Sequence, residues 1–157
     1  MKNRLFALLR IAAGCVFLVT GYLKLMEPYQ NFQIVILQYK ILSGDMTRVF
    51  AIVLPWAEFL LGAFLAMGLW TRVAAAGLWL FNMLFITALA SALWRKIPLQ
   101  DCGCFGEAAH LPPAVTLAID CVFFVFFALL FFHSEAAKTA GLDAWLGGRQ
   151  IPQKENL

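Results

Sequence analysis

Four long apolar runs, separated by short polar breaks, organise this chain. Positions 5–26, 49–70, 73–94 and 111–132 each hold about 20 mostly apolar residues, the length that crosses a bilayer's hydrocarbon core. Lys24-Leu25-Met26-Glu27-Pro28 closes the first run, because proline has no N–H to continue the helical ladder. Between the first two runs, Phe32, Val35, Ile36, Tyr39 and Leu42 recur at helical spacing with Gln33, Gln38 and Lys40 among them. That alternation predicts a short amphipathic helix lying in the membrane interface. The fold expected is an all-α membrane protein: a four-transmembrane-helix bundle with a short interfacial helix between helices 1 and 2. Residues 1–135 form one membrane domain, and 136–157 a short polar tail with Gly141, Gly147 and Gly148.

Details inside the runs refine this outline. The start Met1-Lys2-Asn3-Arg4 has the basic character of a signal peptide. The run behind it is long, carries Arg10 and lacks a small-x-small cleavage site, so a retained helix is expected. Pro55 removes a backbone donor from the second span and predicts a kink. Gly62 with Ala66, and Ala88 with Ala92, are small residues four apart that let membrane helices approach closely. Pro112-Pro113 marks the start of the last span.

Composition agrees with the pattern: 62% of residues are hydrophobic and 13% charged, too apolar for a water-soluble domain. The net charge of +3 is small and scattered, which argues against a nucleic-acid partner. The basic residues bear on orientation instead. Lys2, Arg4, Arg10, Arg72, Lys138, Arg149 and Lys154 fall on the side of the termini, and Lys24, Lys40, Arg48, Arg95 and Lys96 on the other. Cytoplasmic residues carry the excess of positive charge. Both termini are therefore expected in the cytoplasm of a bacterium, with the chain multi-pass in the inner membrane. The connection between the third and fourth spans then faces the periplasm, where disulfides persist.

That connection contains Asp101-Cys102-Gly103-Cys104-Phe105-Gly106. Two cysteines one residue apart can close a small, strained disulfide, and Gly103 eases the backbone into such a ring. A strained and accessible disulfide is labile, which suits exchange better than scaffolding. Cys102 and Cys104 are thus candidate catalytic residues, supported by Asp101, Gly103, Phe105 and Gly106. Competing readings are two unpaired thiols, bonds to other cysteines, or a metal site completed by His110 or Asp101. Two thiolates and one histidine fall short of the four ligands of a structural zinc site, so no metal is expected.

A second group lies inside the spans. Glu58, Asn82 and Asp120 fall in one central layer when residues are counted at about 1.5 Å each from the helix ends. Ionisable groups in hydrocarbon are costly, so Glu58 and Asp120 are expected to face the interior with partners. They outline a candidate proton-handling or quinone site, or else a polar layer that fixes helix packing. Cys15 and Cys121 lie at similar depth, either as buried inert thiols or as a second redox pair relaying electrons to a quinone. Lys24 is expected to snorkel to the headgroups rather than pair with Glu58, and Arg10 to snorkel the opposite way.

Taken in order, Gly21-Tyr22-Leu23-Lys24-Leu25 with Pro28, then Pro55-Trp56-Ala57-Glu58 with Gly62, then Asp101-Cys102-Gly103-Cys104-Phe105-Gly106, resemble the DoxX-like membrane proteins. Within these the chain is most similar to the methylamine-utilisation branch, MauE. The resemblance covers about residues 5–132, and its specific motif is the Asp-Cys-Gly-Cys-Phe-Gly segment. It implies a four-helix bundle tied to redox maturation. A periplasmic thioredoxin-like protein or a client enzyme would be the partner, with disulfide formation in a methylamine dehydrogenase-type client as the outcome. Under that implication Cys102 and Cys104 are the exchange pair and a quinone is a candidate electron acceptor. The residues leave open whether the chain is an enzyme, a non-catalytic membrane anchor or assembly factor, or a small metal or solute carrier.

Overall fold

The computed structural model describes residues 2–42, 44–97 and 112–132, with side chains from residue 5 onward. Five helices make up nearly all of it: α1 (Lys2–Met26), α2 (Tyr29–Gln38), α3 (Asp45–Met67), α4 (Thr71–Trp94) and α5 (Pro113–Phe132). α1, α3, α4 and α5 are each long and apolar enough to cross a membrane, and α2 is the short helix expected between the first two spans. No more than a third of each span's most apolar window is buried within the bundle. Exposed Leu8, Val19, Val53, Leu60, Val122 and Val125 therefore face hydrocarbon, where only internally hydrogen-bonded backbone is tolerated.

Local chemistry sets the boundaries. Pro28 stops α1 and becomes the N-cap of α2, with Asn31 N–H donating to its carbonyl at 3.0 Å. α2 ends at Gln38, earlier than its apolar pattern, with Tyr39 as C-cap, because Lys40 turns into the left-handed region with φ of 51°. α3 ends on Gly68 at φ 67°, where Leu69 N–H reaches back to the Phe64 carbonyl at 2.9 Å. α4 begins three residues after Gly68, so α3 and α4 are joined by a tight antiparallel turn. α3 is shifted from the expected 49–70, beginning at Asp45 and closing at Met67, and it runs on as one helix through Pro55.

α1 and α3 form the closest pairing, backbone against backbone. A Cβ on Gly14 would lie 2.5 Å from Ala66 N, and one on Gly62 would lie 2.5 Å from Leu18 N. The Gly62 and Ala66 pair meets its counterpart in glycines of α1, as small residues at membrane helix interfaces do. Ala92, of the other small pair, packs with Tyr39 and Leu89 in a cluster that the end of α2 and Leu117 of α5 share. Gly14 opposite Ala66, Leu18 opposite Gly62 and Gly21 opposite Phe59 define one antiparallel register. Extended along α3, that register carries Asp45 about nine residues, roughly 13 Å, beyond the end of α1.

Two apolar clusters fill the bundle. One, towards the α3–α4 turn, joins Ala13, Leu65, Ala74, Ala75, Leu78, Phe127 and Leu130. The other, at the α2 end, joins Tyr39, Leu89 and Ala92 with Val35, Ile97 and Leu117 packed against it. Between them on α4 and α5 lie Asn82 and Asp120, both buried.

An intramembrane polar layer as candidate functional site

Every spanning helix sends a polar side chain to this layer. Thr20 and Lys24 come from α1, one helical turn apart on the same face. Glu58 comes from α3, Asn82 from α4 and Asp120 from α5, and all five residues are buried. Lys24 Nζ donates to both carboxylate oxygens of Glu58, at 2.8 Å to Oε2 and 3.1 Å to Oε1. The two side chains are only 1% and 3% exposed. The ammonium also lies 5.2 Å from the ring centroids of both Phe32 on α2 and Phe85 on α4, within cation–π range.

This overturns the expectation that Lys24 snorkels to the headgroups. Depth counted from each helix end assumed that the helices start in one plane, whereas α3 starts well beyond the end of α1. Phe32, on the α2 that folds back over this end, closes the path to the surface. Arg10 differs too: it is completely buried instead of reaching the headgroups, close to the level of Trp70 in the α1–α3 register.

On the other side of Glu58, Asn82 Nδ2 donates to Asp120 Oδ1 at 3.5 Å. Asn82 Oδ1 is buried with no hydrogen-bond partner among the described residues. A void of about 20 Å³ adjoins it, lined by Val16, Phe17, Thr20, Glu58, Asn82, Phe85, Asp120 and Phe123. A water needs roughly 10–15 Å³ of such space and two or more polar partners, so the void suits one water molecule. Chemically the layer is an ion pair and an amide–carboxyl pair flanking a space for a single bridging donor.

As it stands, the space beside Glu58, Asn82 and Asp120 is sized for a water and smaller than a quinone ring. A larger cleft under α2 has the volume, and its described lining carries the hydroxyls of Tyr39, Thr87 and Ser91. Thr87 already donates to the Leu84 carbonyl of its own helix.

Cys15 and Cys121 are both free and exposed on the outside of the bundle, and neither lines the void. They are thus not the buried thiols expected, and the structure does not bring them to the polar layer. Cys121 follows Asp120 in sequence, but one residue turns a helix by about 100°, which sends it outward while Asp120 points in. Among the described residues, no three His, Cys, Asp or Glu side chains converge as metal ligands.

Cys102, Cys104 and their neighbours Asp101, Gly103, Phe105 and Gly106 lie outside the described residues, as does the tail 136–157. The structure does fix the flanks of the Cys-Gly-Cys segment. Ile97, just after α4, and Leu117, in the first turns of α5, pack on the cluster built around Tyr39. These two flanking residues therefore lie at the end of the bundle that α2 covers. Arg95 strengthens this end by donating to the carbonyls of Tyr39 and Lys40, tying the end of α2 to the end of α4. Gln33 Nε2 donates to Thr47 Oγ1 at 3.4 Å, linking α2 to α3.

Compared with known proteins, residues 2–141 match the family model described as methylamine utilisation protein MauE. The chain belongs to the MauE family. No curated protein and no solved structure matches it significantly. Membership ties this multi-pass membrane bundle to methylamine utilisation.

The sequence pattern places Phe32 on the apolar face of the short helix, but it does not single out Thr20, Phe85 or the ties made by Arg95. Signals exist for two: Thr20 stands four residues before Lys24, and Phe85 three after Asn82, each on the same helical face. Nothing local marked Arg95, whose partners are more than 50 residues away in the chain.

Proposed function

We propose that this chain is an inner-membrane thiol–disulfide exchange protein that supports maturation of a periplasmic enzyme of methylamine utilisation. The reading is supported by the Cys-Gly-Cys sequence between α4 and α5 of a MauE family chain, together with the packing of Ile97 and Leu117, which flank that sequence, against the cluster at the α2 end. With the termini cytoplasmic, that end faces the periplasm, where a thioredoxin-like partner and its client enzyme reside.

The exchange balances without further cofactors. A thiolate of the Cys102/Cys104 pair attacks the disulfide of the oxidised partner, giving a mixed disulfide and releasing one partner thiolate. The second cysteine attacks the mixed disulfide, leaving Cys102–Cys104 oxidised and the partner as a dithiol. The same two steps in reverse pass the disulfide to a client dithiol, so two electrons move from client to partner. Strain in the small ring favours giving the disulfide away. The buried polar layer joins side chains of all four spans.

Cys102→Ser and Cys104→Ser variants test this. Each should lose client oxidation, and one of them should accumulate a mixed disulfide with the partner. Undiminished client oxidation in both variants would refute it.

A second reading, a non-catalytic assembly factor, is favoured by how firmly α2 is held to α3 and α4. Partner co-purification that survives loss of both loop cysteines, together with normal client oxidation, would select it.

A further inference from the structure

A second cavity, of about 450 Å³, lies between α2, α3 and α4. Its walls include Ile36 from α2, Leu54 from α3, and Phe81, Leu84 and Ala88 from α4. That volume is within the roughly 300–1,000 Å³ range of ligand pockets. Phe32 and Phe85 form part of its lining and separate it from the Lys24 ammonium. Ile41 and Leu84 are about half exposed, so the cleft opens sideways, where the bilayer lies.

The mouth is chemically unlike the walls. Arg95 donates to the Ser91 carbonyl at 3.3 Å and to the Lys40 carbonyl at 3.4 Å, which places its guanidinium between two borders of the cleft. Lys40 stands between the lining residues Tyr39 and Ile41, and Lys96 follows Arg95; both are exposed, each in a left-handed turn just after a helix. Among the described residues, no carboxylate pairs with any of the three. The other two cations of this end are placed differently: Lys24 is neutralised by Glu58, and Arg48 lies over the Tyr29 ring.

An apolar slot open to lipid, with three cations at its membrane-surface end, has the polarity of an anionic phospholipid. We propose that this cleft binds one anionic phospholipid from the leaflet that α2 faces, an acyl chain along Leu54, Phe81 and Leu84 and the phosphate against Lys40, Arg95 and Lys96. The bound lipid wedges between α3 and α4 beneath α2 and steadies the end of the bundle that carries the Cys-Gly-Cys segment. It also accounts for the small charge difference between the two ends of the chain, since three cations at the α2 end serve a headgroup.

The full-length protein, purified in a neutral detergent, is titrated with phosphatidylglycerol or phosphatidylcholine of the same acyl composition and read by native mass spectrometry. The wild type should bind one phosphatidylglycerol at least tenfold more tightly than phosphatidylcholine. Lys40→Gln with Lys96→Gln, which leaves the Arg95 ties intact, should weaken phosphatidylglycerol roughly 30-fold, at about five- to sixfold per charge removed, and leave phosphatidylcholine unchanged. Ala88→Phe, filling the slot, should weaken both lipids. Raising salt from 0.05 to 1 M should erase the wild-type preference, a readout independent of how any variant folds. Equal binding of the two lipids, a preference that survives the double substitution or high salt, or selective uptake of a neutral isoprenoid quinone would overturn the proposal.

Discussion

Replacing Lys24 with Met removes a cation whose side chain is 1% exposed and which holds Glu58 through two hydrogen bonds of 2.8 and 3.1 Å. Removing one member of a buried pair leaves the other charge uncompensated, at a cost of roughly 3–5 kcal/mol. The two ends of the pair are not equivalent. Lys24→Met also gives up the contacts to Phe32 and Phe85, each worth about 0.5–2 kcal/mol, so it belongs at the top of that range. Glu58→Gln keeps an amide oxygen for the ammonium and both aromatic faces, so it belongs at the bottom of that range, about 3 kcal/mol. Lys24→Met combined with Glu58→Leu leaves no orphaned charge and should recover most of the loss, giving a coupling energy of about 2 kcal/mol or more. Reversible unfolding in mixed micelles, followed for Lys24→Met, Glu58→Gln, Glu58→Leu and the double variant, measures each loss and closes the cycle. Single losses below about 1 kcal/mol that simply add in the double variant would refute a desolvated pair.

Gly62→Ala should separate α1 from α3 and lower the thermal midpoint sharply, because its Cβ meets backbone; Gly77→Ala meets only the movable end of Leu61 and should cost about 1 kcal/mol or less. Arg95→Ala should free the end of α2, at a cost of about 1.5–3 kcal/mol for its charged hydrogen bonds, seen as faster amide exchange over residues 29–40 with exchange in α1 unchanged. Cys15→Ser with Cys121→Ser should leave client oxidation at the wild-type level, since both thiols face outward; a loss of oxidation would restore the second redox pair.

Hydrophobic periodicity was enough to place all four spans and the interfacial helix, because bilayer thickness allows few alternatives to a run of about 20 apolar residues. Ends were less legible. The first turn of α3, with Asp45, Thr47 and Arg48, is too polar to read as part of a span, yet it continues the helix past the end of α1. That offset is why a depth count could put Glu58, Asn82 and Asp120 in the interior and still misplace Lys24. Pairing depends on the register between helices, and the register is written in Gly14, Gly21 and Gly62, whose partners sequence alone does not name. The outward direction of Cys15 and Cys121 was equally hidden, because at a shared depth only rotation about the helix axis separates a core position from a lipid-facing one.

The central claim rests on Cys102 and Cys104, and their redox state in intact cells tests it most directly. Thiols are alkylated with a membrane-impermeant reagent before and after reduction, and the labelled protein is isolated. The account predicts that the pair is oxidised at rest and, once reduced, labels from the periplasmic side, with Cys102→Ser or Cys104→Ser trapping a partner. A pair that stays reduced and beyond the reagent's reach would contradict it.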